Sequence, residues 1–75
     1  MNKTVAQRLA HQIRAQIDAA SLTQTAIGDA LHMSQSALSR RYLGRVEWRA
    51  SELAVLARLL GTTVEQLTEL DLAKK

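Results

Sequence analysis

Residues 23–44 read TQTAIGDALHMSQSALSRRYLG, and this stretch decides the fold of the chain. Thr23 and Ser34 each precede a run with apolar residues at helical spacing, which predicts that they are the N-caps of two short helices. Gly44 follows the second run, at the position where glycine commonly ends a helix. The stretch therefore predicts two short helices joined by a tight turn.

The packing residues of this stretch fit two helices that meet at an angle. Gly28 is the small residue that the first helix needs where it faces the second. Four apolar residues lie where they can close the angle between the helices: Ile27, Leu31, Met33 and Leu38. This is the spacing of a helix-turn-helix, whose second helix reads DNA in the major groove. We therefore predict such a motif over about residues 23–44, with double-stranded DNA as the partner.

The remaining helices are marked by capping signals and by helical periodicity. Thr4 with Gln7 forms a capping box for the first helix, and Thr63 with Gln66 forms a second box for the last helix. Arg49 stands where a Ser, Thr or Asp cap would open the fourth helix, so that start is poorly capped. The five predicted helices cover about residues 4–19, 23–31, 35–43, 50–60 and 63–72. We predict a single all-α domain over residues 1–75.

Composition and charge exclude several classes of protein. The 75 residues include no cysteine, which excludes disulfides and thiolate metal sites. His11 and His32 have no ligand-spaced neighbours, so we expect neither a metal nor another cofactor. Residues 1–45 carry six basic and two acidic side chains, whereas residues 46–75 carry four and five. Basic residues gather around positions 40–49, a distribution typical of proteins that bind polyanions.

The chain shows no signal for a membrane, for export or for catalysis. No apolar run has the length of a membrane span, and no signal peptide is recognisable. We therefore expect a cytoplasmic protein, bacterial or from a bacterial virus, with no membrane partner and no small-molecule ligand. No Ser-His-Asp set, paired carboxylates or glycine-rich phosphate loop can be assembled, so we do not expect an enzyme.

From about Leu22 to Leu67 the sequence resembles the Cro/repressor (XRE-type) helix-turn-helix family. The resemblance implies a five-helix, lambda-repressor-like domain that binds DNA as a transcription regulator. The run SRRYLGRVEW at 39–48, followed by Glu52 and Leu53, is also similar to phage immunity repressors of actinobacterial hosts. A repressor that occupies an operator and blocks polymerase is therefore the leading hypothesis.

The third helix supplies the residues that we expect to read bases. With Leu38 pointing into the core, the opposite face of this helix is polar. Glutamine can pair with adenine in bidentate fashion, arginine can pair with guanine, and serine suits either base. The predicted base-contacting residues are Gln35, Ser36, Ser39 and Arg40.

Contacts to the DNA backbone are predicted on both sides of that face. In the family, a glutamine at the start of the second helix touches phosphate and braces the first residue of the third helix. Gln24 and Gln35 match this pair. The start of a helix also favours anions through its free N–H groups and its dipole. The predicted phosphate-contacting residues are Thr23, Gln24, Ser34, Arg41, Arg45 and Arg49.

The sequence departs from the family pattern at two positions. Glycine is usual at the turn position of His32, because the chain there adopts a positive φ, so His32 should incur some strain. The family usually has an apolar residue in place of Arg41. We expect Tyr42 to pack inward beside Leu38 instead, which would leave Arg41 free for the backbone. Trp48 is expected to cover the core beneath the loop that follows the third helix.

Two other functions remain open on the sequence alone. The domain could be the DNA-binding antitoxin of a toxin pair, although the short tail after Leu72 argues against this. It could also be a helical protein-interaction module, in which the polar face of the third helix would meet a protein. We expect a monomer in free solution, and dimerisation on DNA remains open.

Overall fold

The computed structural model describes residues 4–70. Within this range the chain forms five helices and no strand, which confirms the predicted all-α architecture. The helices are α1 (Val5–Ala19), α2 (Gln24–Leu31), α3 (Gln35–Tyr42), α4 (Ala50–Leu60) and α5 (Val64–Thr68). No helix in the described part of the chain is both long enough and apolar enough to cross a bilayer.

The helices begin at the predicted caps. Thr4 Oγ1 accepts from the Gln7 N–H, and Gln7 Oε1 accepts from the Thr4 N–H, both at 3.1 Å. The predicted capping box of α5 forms only in part. Thr63 Oγ1 accepts from the Gln66 N–H at 3.1 Å, but Gln66 Oε1 accepts from the hydroxyl of Thr62 at 2.7 Å. The second half of that predicted box is therefore wrong.

Four helices end in the same way, with a left-handed residue just past the last turn. These residues are Ser21 (φ 61°), His32 (φ 54°), Gly44 (φ 76°) and Gly61 (φ 68°). At each end two N–H groups fold back onto carbonyls of the last turn, as in a Schellman motif. After α2, for example, the Met33 N–H donates to the Gly28 carbonyl at 2.9 Å. The positive φ predicted for His32 is confirmed.

Replacing His32 with glycine should stabilise the domain. The left-handed conformation of a non-glycine residue destabilises the folded state by roughly 1–2 kcal/mol. Glycine, through its greater backbone entropy, stabilises the unfolded state by about 0.4–1 kcal/mol. We expect a net gain of up to about 1 kcal/mol, or a rise in Tm of about 4–8 °C per kcal/mol. Thermal unfolding followed by circular dichroism measures it. Ala26→Gly, at an exposed helical position, is the control and should lower Tm. A His32→Gly variant that melted lower than wild type would contradict this expectation.

The core is aliphatic, and every helix contributes to it. Six side chains are 0–1% exposed: Ile13, Ile17, Ile27, Leu38, Leu56 and Leu67. The rings of Tyr42 and Trp48 pack on this cluster with centroids 6.3 Å apart, and both residues are buried. The expected inward positions of Tyr42 and Trp48 are therefore confirmed.

Helix α5 is shorter than predicted, because it ends at Thr68 and not near Leu72. In a longer helix the Leu67 carbonyl would accept a hydrogen bond from the N–H four residues later. Here it accepts hydrogen bonds from Nε2 of Gln12 and Nε2 of Gln16 at 3.0 and 3.3 Å. These bonds attach α5 to α1, and Glu69 is already extended (ψ 121°). The predicted helical residues 71 and 72 lie outside the described residues.

Candidate nucleic-acid interface

Helices α2 and α3 form the predicted helix-turn-helix around a close contact at Gly28. A Cβ at this position would lie 3.0 Å from the Met33 carbonyl oxygen, so a larger residue would push against the backbone of the turn. Ile27 and Leu38 are both 0% exposed and join α2 and α3 to the core. The rotation of α3 about its own axis is therefore determined by Leu38.

This rotation exposes the four predicted base-contacting residues on one face of α3. Gln35, Ser36, Ser39 and Arg40 are all exposed. Arg40 Nη2 donates to Ser36 Oγ at 3.0 Å, and Arg40 Nε donates to the Ser36 carbonyl at 3.4 Å. The guanidinium thus lies back along the helix towards its N-terminal half. The structure brings these residues together as one polar surface, which we call the α3 face.

The two glutamines that match the family pair are in direct contact. Gln35 Nε2 donates to Gln24 Oε1 at 2.7 Å, across the turn between α2 and α3. This bond uses the oxygen of Gln24, so its Nε2 group still has donors for an anion. The Gln35 oxygen remains an acceptor on the α3 face.

Five of the predicted phosphate-contacting residues are exposed at the two ends of the helix-turn-helix. Thr23, Gln24 and Ser34 lie where α2 and α3 begin, and Arg45 and Arg49 lie in the loop after α3. The Thr23 and Ser34 hydroxyls accept cap bonds of 3.1 Å from the Ala26 and Ala37 N–H groups. Each hydroxyl hydrogen is still available to donate.

Arg41 is the sixth, and the expectation that its side chain would be free is wrong. The residue is 9% exposed. Its Nε and Nη2 donate to Oε1 and Oε2 of Glu52 at 2.9 and 3.0 Å, and its Nη1 donates to the Ala37 carbonyl at 3.1 Å. Arg41 and Tyr42 follow Leu38 by three and four residues, so both flank it on the buried side of α3. Tyr42 therefore does not replace Arg41 inside, because both side chains turn inward.

A family model described as Helix-turn-helix domain matches residues 8–70, which include α2 to α5 and most of α1. The chain belongs to this helix-turn-helix family. Membership indicates a DNA-binding regulator, in agreement with the exposed polar α3 face. No curated protein and no solved structure matches the chain.

Glu52 is the residue of this helix-turn-helix domain that sequence reasoning missed. Besides Arg41, its Oε1 accepts the N–H of Arg49 at 2.9 Å. The Arg49 side chain makes no cap hydrogen bond, so Glu52 is the side chain that caps the start of α4. An acidic residue three positions after the N-cap is the available sequence signal, even where the N-cap cannot accept a hydrogen bond.

The surroundings of Glu52 keep its carboxylate charged. Burial raises the pKa of Glu52, but hydrogen bonds from Arg41 and from the Arg49 backbone, together with the positive charges of both arginines, outweigh it. The net effect is a pKa below the ordinary value. The Arg41–Glu52 ion pair therefore links the buried side of α3 to the first turn of α4 and supports the orientation of the α3 face.

Proposed function

We propose that the protein is a sequence-specific transcriptional repressor of the phage-immunity type, acting on operator DNA in the bacterial cytoplasm. It inserts α3 into the major groove, so that the α3 face meets base edges, and it blocks polymerase by occupancy. It needs no cofactor and catalyses no reaction.

The observation that carries this proposal is the composition of the α3 face. Its exposed side chains are those that pair with base edges in the major groove, and each good bidentate pair contributes about 1–3 kcal/mol of discrimination. The hydrogen bond from Gln35 to Gln24 holds the Gln35 side chain in position in the free protein. Preorganisation of this kind reduces the entropic cost of binding.

Backbone contacts at both ends of the helix-turn-helix would fix its register on the duplex. Thr23, Gln24 and Ser34 would hold phosphates on one side, and Arg45 and Arg49 would hold phosphates on the other. Such contacts supply affinity and salt dependence but carry no sequence information directly. Arg41 acts through Glu52 in this proposal and does not touch DNA.

Arg40→Ala should weaken binding to the preferred site by about 1–3 kcal/mol and weaken binding to a random duplex much less. The site is first selected with the wild-type protein from a library of randomised duplexes. Gln35→Ala should relax preference at a different base pair, because the two residues are five positions apart on α3. Dissociation constants for each variant on the selected site and on a random-sequence duplex measure both effects.

Arg58→Ala is the matched control, since Arg58 is an exposed arginine of α4 outside the helix-turn-helix. It should leave sequence preference unchanged. If Arg40→Ala lowers the affinity for every sequence equally, Arg40 contacts phosphate and not bases. A wild-type protein that selected no sequence would contradict sequence-specific binding and favour a protein-interaction module.

A further inference from the structure

A groove runs between α1 and the C-terminal end of α3, where the helix-turn-helix packs against the first helix. Gln7, His11 and Arg14 line it on the α1 side, and Tyr42 and Leu43 line it on the α3 side. The three α1 residues are spaced by four and three, so they form one stripe along the helix. All three side chains offer N–H donors to the groove.

Two contacts fix this stripe relative to α3. The guanidinium carbon of Arg14 lies 5.6 Å from the centroid of the Tyr42 ring, which is a cation–π geometry. At the turn after α3, a Cβ on Gly44 would lie 2.9 Å from the Gln7 Cα, so the turn packs directly on the α1 backbone. The groove therefore keeps a constant position beside the end of α3.

The groove opens onto the α3 face. Leu43 follows Ser36 by seven residues and Ser39 by four, so it lies on the same side of α3 as these two residues. It is 49% exposed although it is a large apolar residue. The C-terminal end of the α3 face and the donor stripe of α1 are thus one continuous surface.

This surface carries a positive charge that has no counter-ion among residues 4–70. Arg14 is exposed, and the ion pair within that range joins Arg41 to Glu52. Asp18, one turn along α1, is not within ion-pair distance of Arg14. Burial and the charge of Asp18 raise the pKa of Tyr42, while Arg14 lowers it. A neutral phenol ring therefore lies beneath the guanidinium.

We propose that the groove binds a backbone phosphate of the DNA duplex, on the flank of the base pairs that α3 reads. Arg14 supplies the charge, Gln7 and His11 add donors, and Tyr42 holds the guanidinium in position. This inference rests on the proposed function, because a duplex docked on the α3 face brings its backbone to the end of that face.

Salt dependence of binding tests this proposal. Dissociation constants are measured between 50 and 200 mM salt for the selected site and for a random-sequence duplex. Each phosphate contact adds about 0.9 to the slope of log affinity against log salt, so the advantage of wild type over Arg14→Gln should shrink about threefold across this range. The loss should be equal on both duplexes. Arg14→Lys should keep the wild-type slope, and Arg58→Gln should also keep it.

A scan of the selected duplex with single methylphosphonates locates the contact. Wild type should lose affinity when a phosphate beyond the contacted base pairs is neutralised, and Arg14→Gln should show no loss at that phosphate. Binding is normalised to the folded fraction from thermal unfolding, which separates a charge effect from a loss of packing on Tyr42.

Three results would overturn the inference. If Arg14→Gln keeps both the wild-type salt slope and the wild-type methylphosphonate penalty, the proposed phosphate contact in the groove is contradicted. The proposed function would still stand if Arg40→Ala loses specificity. If neutralising the phosphates beyond the contacted base pairs costs the wild-type protein no affinity, the groove contact is contradicted, even if Arg14→Gln does not fold. A wild-type protein that bound no duplex would overturn both proposals together.

Discussion

Leu38→Ala is expected to lower the free energy of unfolding by about 2–5 kcal/mol. Leu38 is 0% exposed and packs in the core with Ile27 of α2 and Tyr42 of α3. Truncation would remove buried methyl groups and leave a cavity where α2 and α3 meet. Since a small domain is stable by only about 5–15 kcal/mol, this is a large fraction of the total. Urea unfolding followed by circular dichroism measures the change.

Leu43→Ala is the matched control for this substitution. Leu43 is the same residue type at the end of the same helix, but it is 49% exposed. Because about half of Leu43 is exposed, its truncation removes less buried surface and should cost clearly less than Leu38→Ala. Equal effects of the two substitutions would mean that α3 is rotated differently about its axis, and Leu38 would then not orient the α3 face.

The features predicted correctly from the sequence depend on local physics. The side-chain caps at Thr4, Thr23 and Ser34 are formed by residues three apart, so a single sequence shows them. The left-handed conformation of His32, by contrast, was implied by the family resemblance, in which glycine is usual at this turn position. Helical periodicity separates buried from exposed positions and so predicts that Leu38 lies in the core.

The features that were missed depend on which elements meet. Arg41 looks like one more basic residue in a basic stretch, and only the approach of α4 brings Glu52 to it. The early end of α5 has a similar origin, because Gln12 and Gln16 on α1 occupy a carbonyl more than fifty residues away along the chain. Neither contact has a local sequence signal, because each forms only when two separate helices pack together.

Glu52→Ala is expected to destabilise the domain by roughly 3 kcal/mol or more, the range for breaking a buried ion pair from one side. The side chains of Arg41 and Glu52 are 11% and 13% exposed. Removing the carboxylate would leave the Arg41 guanidinium largely desolvated with one carbonyl partner, Ala37. It would also remove the only side-chain acceptor at the start of α4.

A double substitution separates the unpaired charge from the lost cap. Replacing Arg41 with leucine in the Glu52→Ala background removes the buried charge, so the double variant should be more stable than Glu52→Ala alone. Ser51→Ala, at the exposed neighbouring position of α4, is the control and should have little effect. A double variant less stable than Glu52→Ala would contradict the ion-pair explanation and assign the loss to capping and packing.

The pH dependence of stability gives an independent check on the same pair. Because the folded pKa of Glu52 lies below its ordinary value of 4.5, folding favours the ionised carboxylate. Its contribution is therefore present above pH 4.5 and is lost as the pH falls through the folded pKa. The difference in unfolding free energy between wild type and Glu52→Gln should be constant near neutral pH and should shrink as the pH falls below 4.5. A difference that stayed constant into the acid range would mean that the Glu52 charge contributes nothing to holding α3 against α4.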